Sequence, residues 1–425
     1  MFKILTGIFQ KKNKDLRHRL YFTIAILTIF VIGTTIEVPK TQHITTDLGF
    51  LELLNVMSGG SLQRFSIFAL GVSPYINASI IMQLLQMDVI PYFSDLAKQG
   101  QVGQQKLNQI TRYMGIIFGF AQGYAMSFYF LGKSNGVLAN LEVALVLTAG
   151  TALLMWLGDQ VTQKGIGNGI SLIIMAGIVI SLPHMMKTAF DTLVVTGTSK
   201  AVAAGIASFI LFIIVYLLVV IGIIYIEGAE RRISIQYANK STSSLGKQNY
   251  MPIKINSAGV IPVIFASTLL SVPQTIAQFI NKTGFTNFVS KYLDYTKPFG
   301  FGLFIVLIFF FAYFYTFVQL KPADIAKNLQ DNGGYVPGVK PGESTEKYFS
   351  KVISRLTITG ALFLAVIASL PIVVNAVTKL PSQVSIGGTS LLIVVGVAIE
   401  TYKQLESSLL SRNYSVNKNY RRVRR

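Results

Sequence analysis

The chain contains no cysteine, one tryptophan and three histidines among its 425 residues. Without cysteine there is no disulfide framework, no thiol nucleophile and no thiolate-ligated metal. His18, His43 and His184 all fall outside the long apolar runs, so no intramembrane His-Glu-x-x-His or Ser/His pair is available for proteolysis. Charge is scarce as well: 13% of residues are Asp, Glu, Lys or Arg, against about 25% in soluble domains. Where charge is missing matters more than how much. The centres of the apolar runs hold almost no ionisable group, and Glu37, Glu142, Asp159 and Glu400 stand near their ends. Ion- and proton-coupled transporters place a carboxylate, His or Lys in the bundle core. A small-solute secondary transporter is therefore disfavoured, as is an intramembrane protease built on paired aspartates.

What is present is hydrophobic sequence, at 52% of residues. It divides into ten spans: 20–38, 66–87, 113–131, 141–158, 169–182, 201–226, 256–279, 301–320, 354–377 and 386–399. The fifth and tenth extend beyond these limits by a turn or more. A basic run at 11–19 precedes the first span, but no small-x-small cleavage site follows, so the span reads as a retained anchor. Placing the N-terminus inside puts about three quarters of the Lys and Arg on the cytosolic side, as the positive-inside rule requires. Ten spans then return the C-terminal Arg-rich tail to the cytosol. Thus the net charge of +19 is mostly topology. Three cytosolic stretches stand out, 88–112, 227–255 and 321–355, the last two long for connectors and suited to docking.

The stretch 47–85 is unlike the rest. About ten apolar-rich residues, 48–57, stop at Ser58-Gly59-Gly60, and the following apolar span is broken by Gly71-x-x-Pro74. Ten helical residues reach about 15 Å, roughly half of a bilayer core. Such a segment enters a membrane protein and turns back, which lipid tolerates only where protein or a water-filled cavity shields the backbone. That points to a channel. Elsewhere the spans carry Pro74, Pro262, Pro273 and Pro371, each expected to permit a kink, and the amides Asn77, Gln83, Gln122, Gln274 and Asn375, which can satisfy freed backbone groups or line water. Gly165-x-Gly167-x-Gly169 follows no strand and opens an apolar span, so it reads as close helix approach or a flexible start to the span, not a nucleotide loop.

Five stretches taken together resemble the SecY family (SecY/Sec61-alpha), central subunits of protein-translocation channels: MSGGSLQRFSIFALGVSPYINASIIMQLL (57–85), GIGNGISLIIMAGIVISLP (165–183), SAGVIPVIFASTLLSVP (257–273), GYVPGVKPGESTEKY (334–348) and GGTSLLIVV (387–395). The resemblance implies an all-α polytopic membrane protein with ten transmembrane helices in two pseudo-symmetric five-helix halves. The halves are 1–182, with a re-entrant plug helix at about 48–57, and 201–425, joined by an external hinge loop at 183–200. Plug residues would be Leu48, Phe50, Leu51, Leu53, Leu54 and Met57, with Ser58, Gly59 and Gly60 as the hinge on which the plug swings. An apolar pore ring would comprise Val72, Ile76, Ile170, Ile174, Ile264 and Ile393, which excludes water and ions when empty; Val72/Ile76 and Ile170/Ile174 have the spacing of one helix face. Asn77, Gln122, Thr268 and Gln274 would line a lateral gate. Arg231, Arg232, Lys340 and Pro341 would dock cytosolic partners, with Lys340 where the family usually has Arg and so without the bidentate fork.

The implied function is passage of unfolded secretory proteins outward and sideways release of hydrophobic segments into the bilayer. No enzymatic activity, cofactor or metal is expected. Implied partners are SecE-like and SecG-like small membrane subunits, the ATPase SecA, the ribosome with its RNA surface, signal-bearing preproteins and lipid. The setting would be a bacterial plasma membrane with both termini cytosolic. An accessory paralogue serving a restricted substrate set stays open at this point.

Overall fold

Helix carries most of the chain in the computed structural model, which describes residues 13–39, 41, 52–86, 90–131, 136–194, 199–237, 249–280, 283–294, 297–378 and 387–423. Each of the ten spans read from the sequence contains a helix. In chain order the elements are α1 (Lys14–Gly33), α2 (Glu52–Met57), α3 (Ser73–Leu85), α4 (Pro91–Lys98), α5 (Gln101–Leu131), α6 (Gly136–Lys164), α7 (Gly169–Leu193) and α8 (Ser199–Gly228). Then follow β1 (Glu230–Tyr237), β2 (Asn249–Lys254), α9 (Ile261–Ile280), α10 (Thr283–Tyr292), α11 (Pro298–Gln319), α12 (Pro322–Asp331), β3 (Gly334–Tyr335), α13 (Glu343–Thr378) and α14 (Gly387–Val423). Among the described residues, six of these helices are long and apolar enough to cross a membrane: α1, α6, α7, α8, the one beginning at Pro298, and α13.

Several boundaries differ from the sequence reading, each for a backbone reason. The second span is not helical from residue 66: turns occupy its start, with Phe65 at φ 50° and Gly71 at φ 55°, and α3 begins only at Ser73. Pro74 and Pro262 do not kink their helices. Both sit in the first turn, where the missing N–H would have had no intrahelical acceptor. Pro273 lies inside α9. The supposed loop 183–200 is largely helix, because α7 continues through Pro183 to Leu193; the loss of one hydrogen bond does not outweigh helical continuity there. The stretch 88–112 is likewise mostly helix, α4 and the first turns of α5.

The chain forms two compact units. One comprises Met1–Thr192, Ser382–Ile386 and Val397–Arg425; the other comprises Leu193–Pro381 and Gly387–Gly396. The last helix is therefore divided between the units, its C-terminal part from Val397 belonging with the N-terminal unit. In that unit Leu16 and Ile166 are buried against Leu20, Leu405 and Leu409. A larger core gathers Leu62, Phe65, Leu70, Met126, Val143 and Leu147. Here α5 lies close to α6 and α3 along Gly115, Gly119 and Gly123. A Cβ on Gly115 would be 3.2 Å from Met155 Sδ, and one on Gly123 would be 3.2 Å from the Ala144 carbonyl. Small residues at four-residue spacing allow such close approach between apolar helices.

The second unit adds a feature absent from the sequence reading, a three-stranded antiparallel sheet in the order β2-β1-β3. It joins the two long stretches 227–255 and 321–355, since β1 pairs with β2 from Glu230↔Lys254 to Ile235↔Asn249 and with β3 at Gln236↔Tyr335 and Tyr237↔Gly334. Ile233, Ile235 and Ile253 bury one face against Leu329, Val336, Phe349 and Ile353. Arg232, Ser234 and Gln236 alternate onto the other face, as a period-two strand requires. At its root, Asn256 Nδ2 donates to Glu227 Oε1 at 2.6 Å and to the Gly259 carbonyl at 3.1 Å. The buried Glu227 at the end of α8 is thereby tied to the turn before α9.

Candidate functional site

In the N-terminal unit three expected groups meet. Within the segment expected to be the plug, the structure shows the helix α2, Glu52–Met57; Leu48, Phe50 and Leu51 lie outside the described residues, as do the side chains of Leu53 and Leu54. Val56 and Met57 are each 8% exposed. The three residues that follow sit between two elements bearing ring candidates. On one side a Cβ on Gly71, the residue before Val72, would lie 3.3 Å from Ser58 Cβ. On the other, a Cβ on Gly59 would lie 3.4 Å from Gly177 Cα in α7. Gly59 and Gly60 take φ 73° and 79°, a region that favours glycine.

The ring candidates are held by local capping. Val72 is the N-cap of α3 and is buried, and its carbonyl accepts from the Ile76 N–H at 3.1 Å. The pair thus keeps one-turn spacing although Val72 is outside the helix. Ile170 and Ile174 lie in the first turns of α7, Ile174 buried and Ile170 half-buried. Asn168 Oδ1 caps this helix by accepting from the N–H groups of Ile170 (3.1 Å) and Ser171 (3.3 Å). The glycine run before it is a close-approach site: a Cβ on Gly169 would strike the Gly158 carbonyl. Thr162 Oγ1 accepts from the Gly169 N–H at 2.9 Å, and Thr23 Oγ1 from the Ile166 N–H at 3.1 Å. The register of Ile170 and Ile174 is therefore set by the Asn168 cap together with hydroxyls from α6 (Thr162) and α1 (Thr23).

Of the gate candidates, Asn77 lies on α3 and Gln122 on α5, both half-buried. Asn77 Oδ1 is buried without a hydrogen-bond partner. One functional-looking pair was not anticipated: Arg112 of α5 and Asp159 of α6 are 2.8 Å apart. Their separation along the chain gave no periodic signal; only the antiparallel packing of the two helices brings them together.

In the second unit, Ile264 and Thr268 are one turn apart on α9 and half-buried, while Ile393 of α14 is 3% exposed. The two helices approach within this unit, since a Cβ on Gly396 would lie 3.2 Å from Val260 Cγ1. The side chain of Gln274 is outside those described. Two of the four docking candidates lie on the sheet. Arg231 and Arg232 are exposed on β1, and the Arg232 guanidinium lies 4.8 Å from the centre of the Tyr250 ring on β2, a cation–π contact. Tyr335 on β3 donates to Gln236 Oε1 at 2.8 Å. Lys340 and Pro341 are exposed on the turn between Gly338 (φ 81°) and Gly342 (φ 93°), and the Lys340 carbonyl accepts from Thr345 Oγ1 at 2.9 Å. Among the described residues no group of three or more His, Cys, Asp or Glu is placed to hold a metal ion.

Comparison with known proteins gives the following. The family model for SecY matches residues 66–402. The chain is 46% identical over 428 residues to "Protein translocase subunit SecY" of Bacillus subtilis strain 168, covering 97% of this chain and 99% of the relative. It is 47% identical over 416 residues to the protein of the same name from Staphylococcus epidermidis strain ATCC 12228, covering 95% and 96%. Among solved structures it is similar to "The structure of a protein conducting channel", with a TM-score of 0.64, 20% identity and 92% of both chains covered. It is also similar to "Sec61 in the Canine ribosome-channel complex from the endoplasmic reticulum", with a TM-score of 0.58, 19% identity and 92% of both chains covered.

Proposed function

The chain belongs to the SecY family, and we propose from its geometry how it works as the protein-conducting subunit of a translocation channel. It is a multi-pass membrane protein and not an enzyme. Unfolded secretory chains pass aliphatic side chains that make no hydrogen bonds to a passing backbone and exclude water when empty: Val72, Ile76, Ile170 and Ile174 of the first unit, and Ile264 and Ile393 of the second. Asn77, Gln122, Thr268 and Gln274 line the exit through which hydrophobic segments reach lipid. The observation that carries this reading is the seating of the plug end against Gly177, on the helix that bears Ile170 and Ile174. A stopper held on a ring-bearing helix is what a gated pore needs.

The exposed Arg231, Arg232 and Lys340 supply the positive charge for cytosolic docking. Arg and Tyr on a rigid sheet suit both an acidic protein and an RNA surface, which supports SecA and the ribosome as partners. SecE-like and SecG-like subunits complete the complex in a bacterial plasma membrane, with both termini cytosolic. The test is export and ion leakage with the complex in proteoliposomes. Ile76→Asn and Ile174→Asn together are expected to raise resting ion leakage by about tenfold or more and to relax signal-sequence selectivity; leakage and selectivity equal to the parent would overturn the ring.

A further inference from the structure

The tripeptide expected to be a hinge is tied down by hydrogen bonds to the residues on either side of it. Asn55, Ser58 and Ser61 are 3%, 3% and 0% exposed. The Asn55 carbonyl accepts from the Gly60 N–H at 2.8 Å and from Ser58 Oγ at 3.0 Å. Asn55 Oδ1 accepts from the Gln63 N–H at 3.0 Å, and Ser61 Oγ donates to the Ser58 carbonyl at 2.6 Å. A swing at Ser58–Gly60 would break these bonds in a place closed to water, where each unmade bond costs its full desolvation.

The tie extends to α7. A Cβ on Gly177 would strike the Met57 carbonyl and lie 3.0 Å from the Gly59 nitrogen, so only glycine lets the plug's end settle on the helix. One turn further, Ser181 Oγ is 3.3 Å from the Val56 carbonyl. The same hydroxyl is 2.9 Å from the Ile178 carbonyl and 3.2 Å from that of Gly177. It has one proton to give. When the plug leaves, that proton turns to its own helix and no donor is stranded. Along α7, Ile170, Ile174, Gly177 and Ser181 recur at three- and four-residue steps, which places them on one helix face.

We propose that Gly177 and Ser181 are the plug's latch: a two-point seat on α7 that holds the plug end closed and lets it go when the face bearing Ile170 and Ile174 is displaced. A chain that widens the ring thereby frees the plug, and the knot Asn55–Ser66 moves as one piece instead of flexing at its glycines. This inference rests on the channel reading above.

The chain's lack of cysteine allows a single reporter, Met57→Cys, in the full complex in right-side-out membrane vesicles. The measurement is its rate of labelling by a membrane-impermeant maleimide, together with resting ion leakage. Gly177→Ala is expected to speed labelling about tenfold, because the added methyl overpacks the seat. Ser181→Ala is expected to speed it about threefold through loss of one hydrogen bond. Labelling unchanged in both variants overturns the latch. Should the Gly177→Ala chain fail to accumulate, Ser181→Ala decides alone: faster labelling supports the latch and an unchanged rate overturns it. The two readings separate cleanly. Faster labelling without added leakage keeps the latch and counts against the plug as a seal. Leakage in Ile174→Asn, with no change of labelling in either latch variant, keeps the channel and removes the latch.

Discussion

The helices α8 and α13 belong to the same unit, yet the more hydrophobic of them is the less buried. The most apolar stretch of Val202–Gly228 has a mean hydropathy of 3.2 and is 6% buried by the chain, whereas that of Glu343–Leu370 has 1.9 and is 50% buried. In water this order would reverse. In a bilayer an apolar side chain loses nothing by facing lipid, so extreme hydropathy marks the surface, and small or polar residues mark where helices meet. The buried face of α13 accordingly carries Ala361, Leu364, Ala365 and Ala368, and a Cβ on Gly360 would lie 3.0 Å from the Ile255 carbonyl. On α8, Leu211, Leu218 and Tyr225 are 62%, 61% and 79% exposed.

The contrast can be tested where its two sides differ most. Phe349, near the N-terminal end of α13, is fully buried beneath the sheet. Phe349→Ala is expected to cost about 3–5 kcal/mol, seen as a lower melting temperature in detergent and as weaker partner binding by the Arg231/Arg232 face. A melting temperature equal to the parent would show that the sheet does not depend on α13. Asn256→Ala removes a hydrogen bond from the buried Glu227 carboxylate at the end of α8, and is expected to cost about 1.5–3 kcal/mol by the same measurement. The smallest effect belongs to Leu218→Ala on the exposed face of α8, expected within about 0.5 kcal/mol. A loss there as large as that of Phe349→Ala would mean that this face packs against protein, and the contrast between the helices would fail.

Most of the helices were legible because apolar runs of bilayer length leave the backbone few choices. Boundaries were less so. The start of the second span read as apolar and therefore helical, but Gly71 and Phe65 adopt positive φ and turn the chain until Ser73. The sheet was missed although Arg232-Ile233-Ser234-Ile235-Gln236 alternates with period two. That signal is short, and β2 and β3 lie in separate stretches of sequence, so nothing local announces the pairing. The site divides the same way. Branched aliphatics at one-turn spacing could be picked out by resemblance, and Asn168 before the run at 169 was a readable cap. Gly177 could not be singled out from the other glycines of the spans, because its role depends on a carbonyl 120 residues earlier in the chain.

Composition and periodicity by themselves determined that the chain is a helical membrane protein with uncharged span centres, and its motifs, by resemblance, pointed to the family to which it belongs. Only tertiary structure decided that Ser58–Ser61 is a hydrogen-bonded turn packed on α7, that two distant stretches form one sheet, and that Arg112 meets Asp159. The reason is physical. Solvation acts on each segment separately and is written in its own residues, whereas close approach, hydrogen bonding and ion pairing arise between segments and exist only once both are in place.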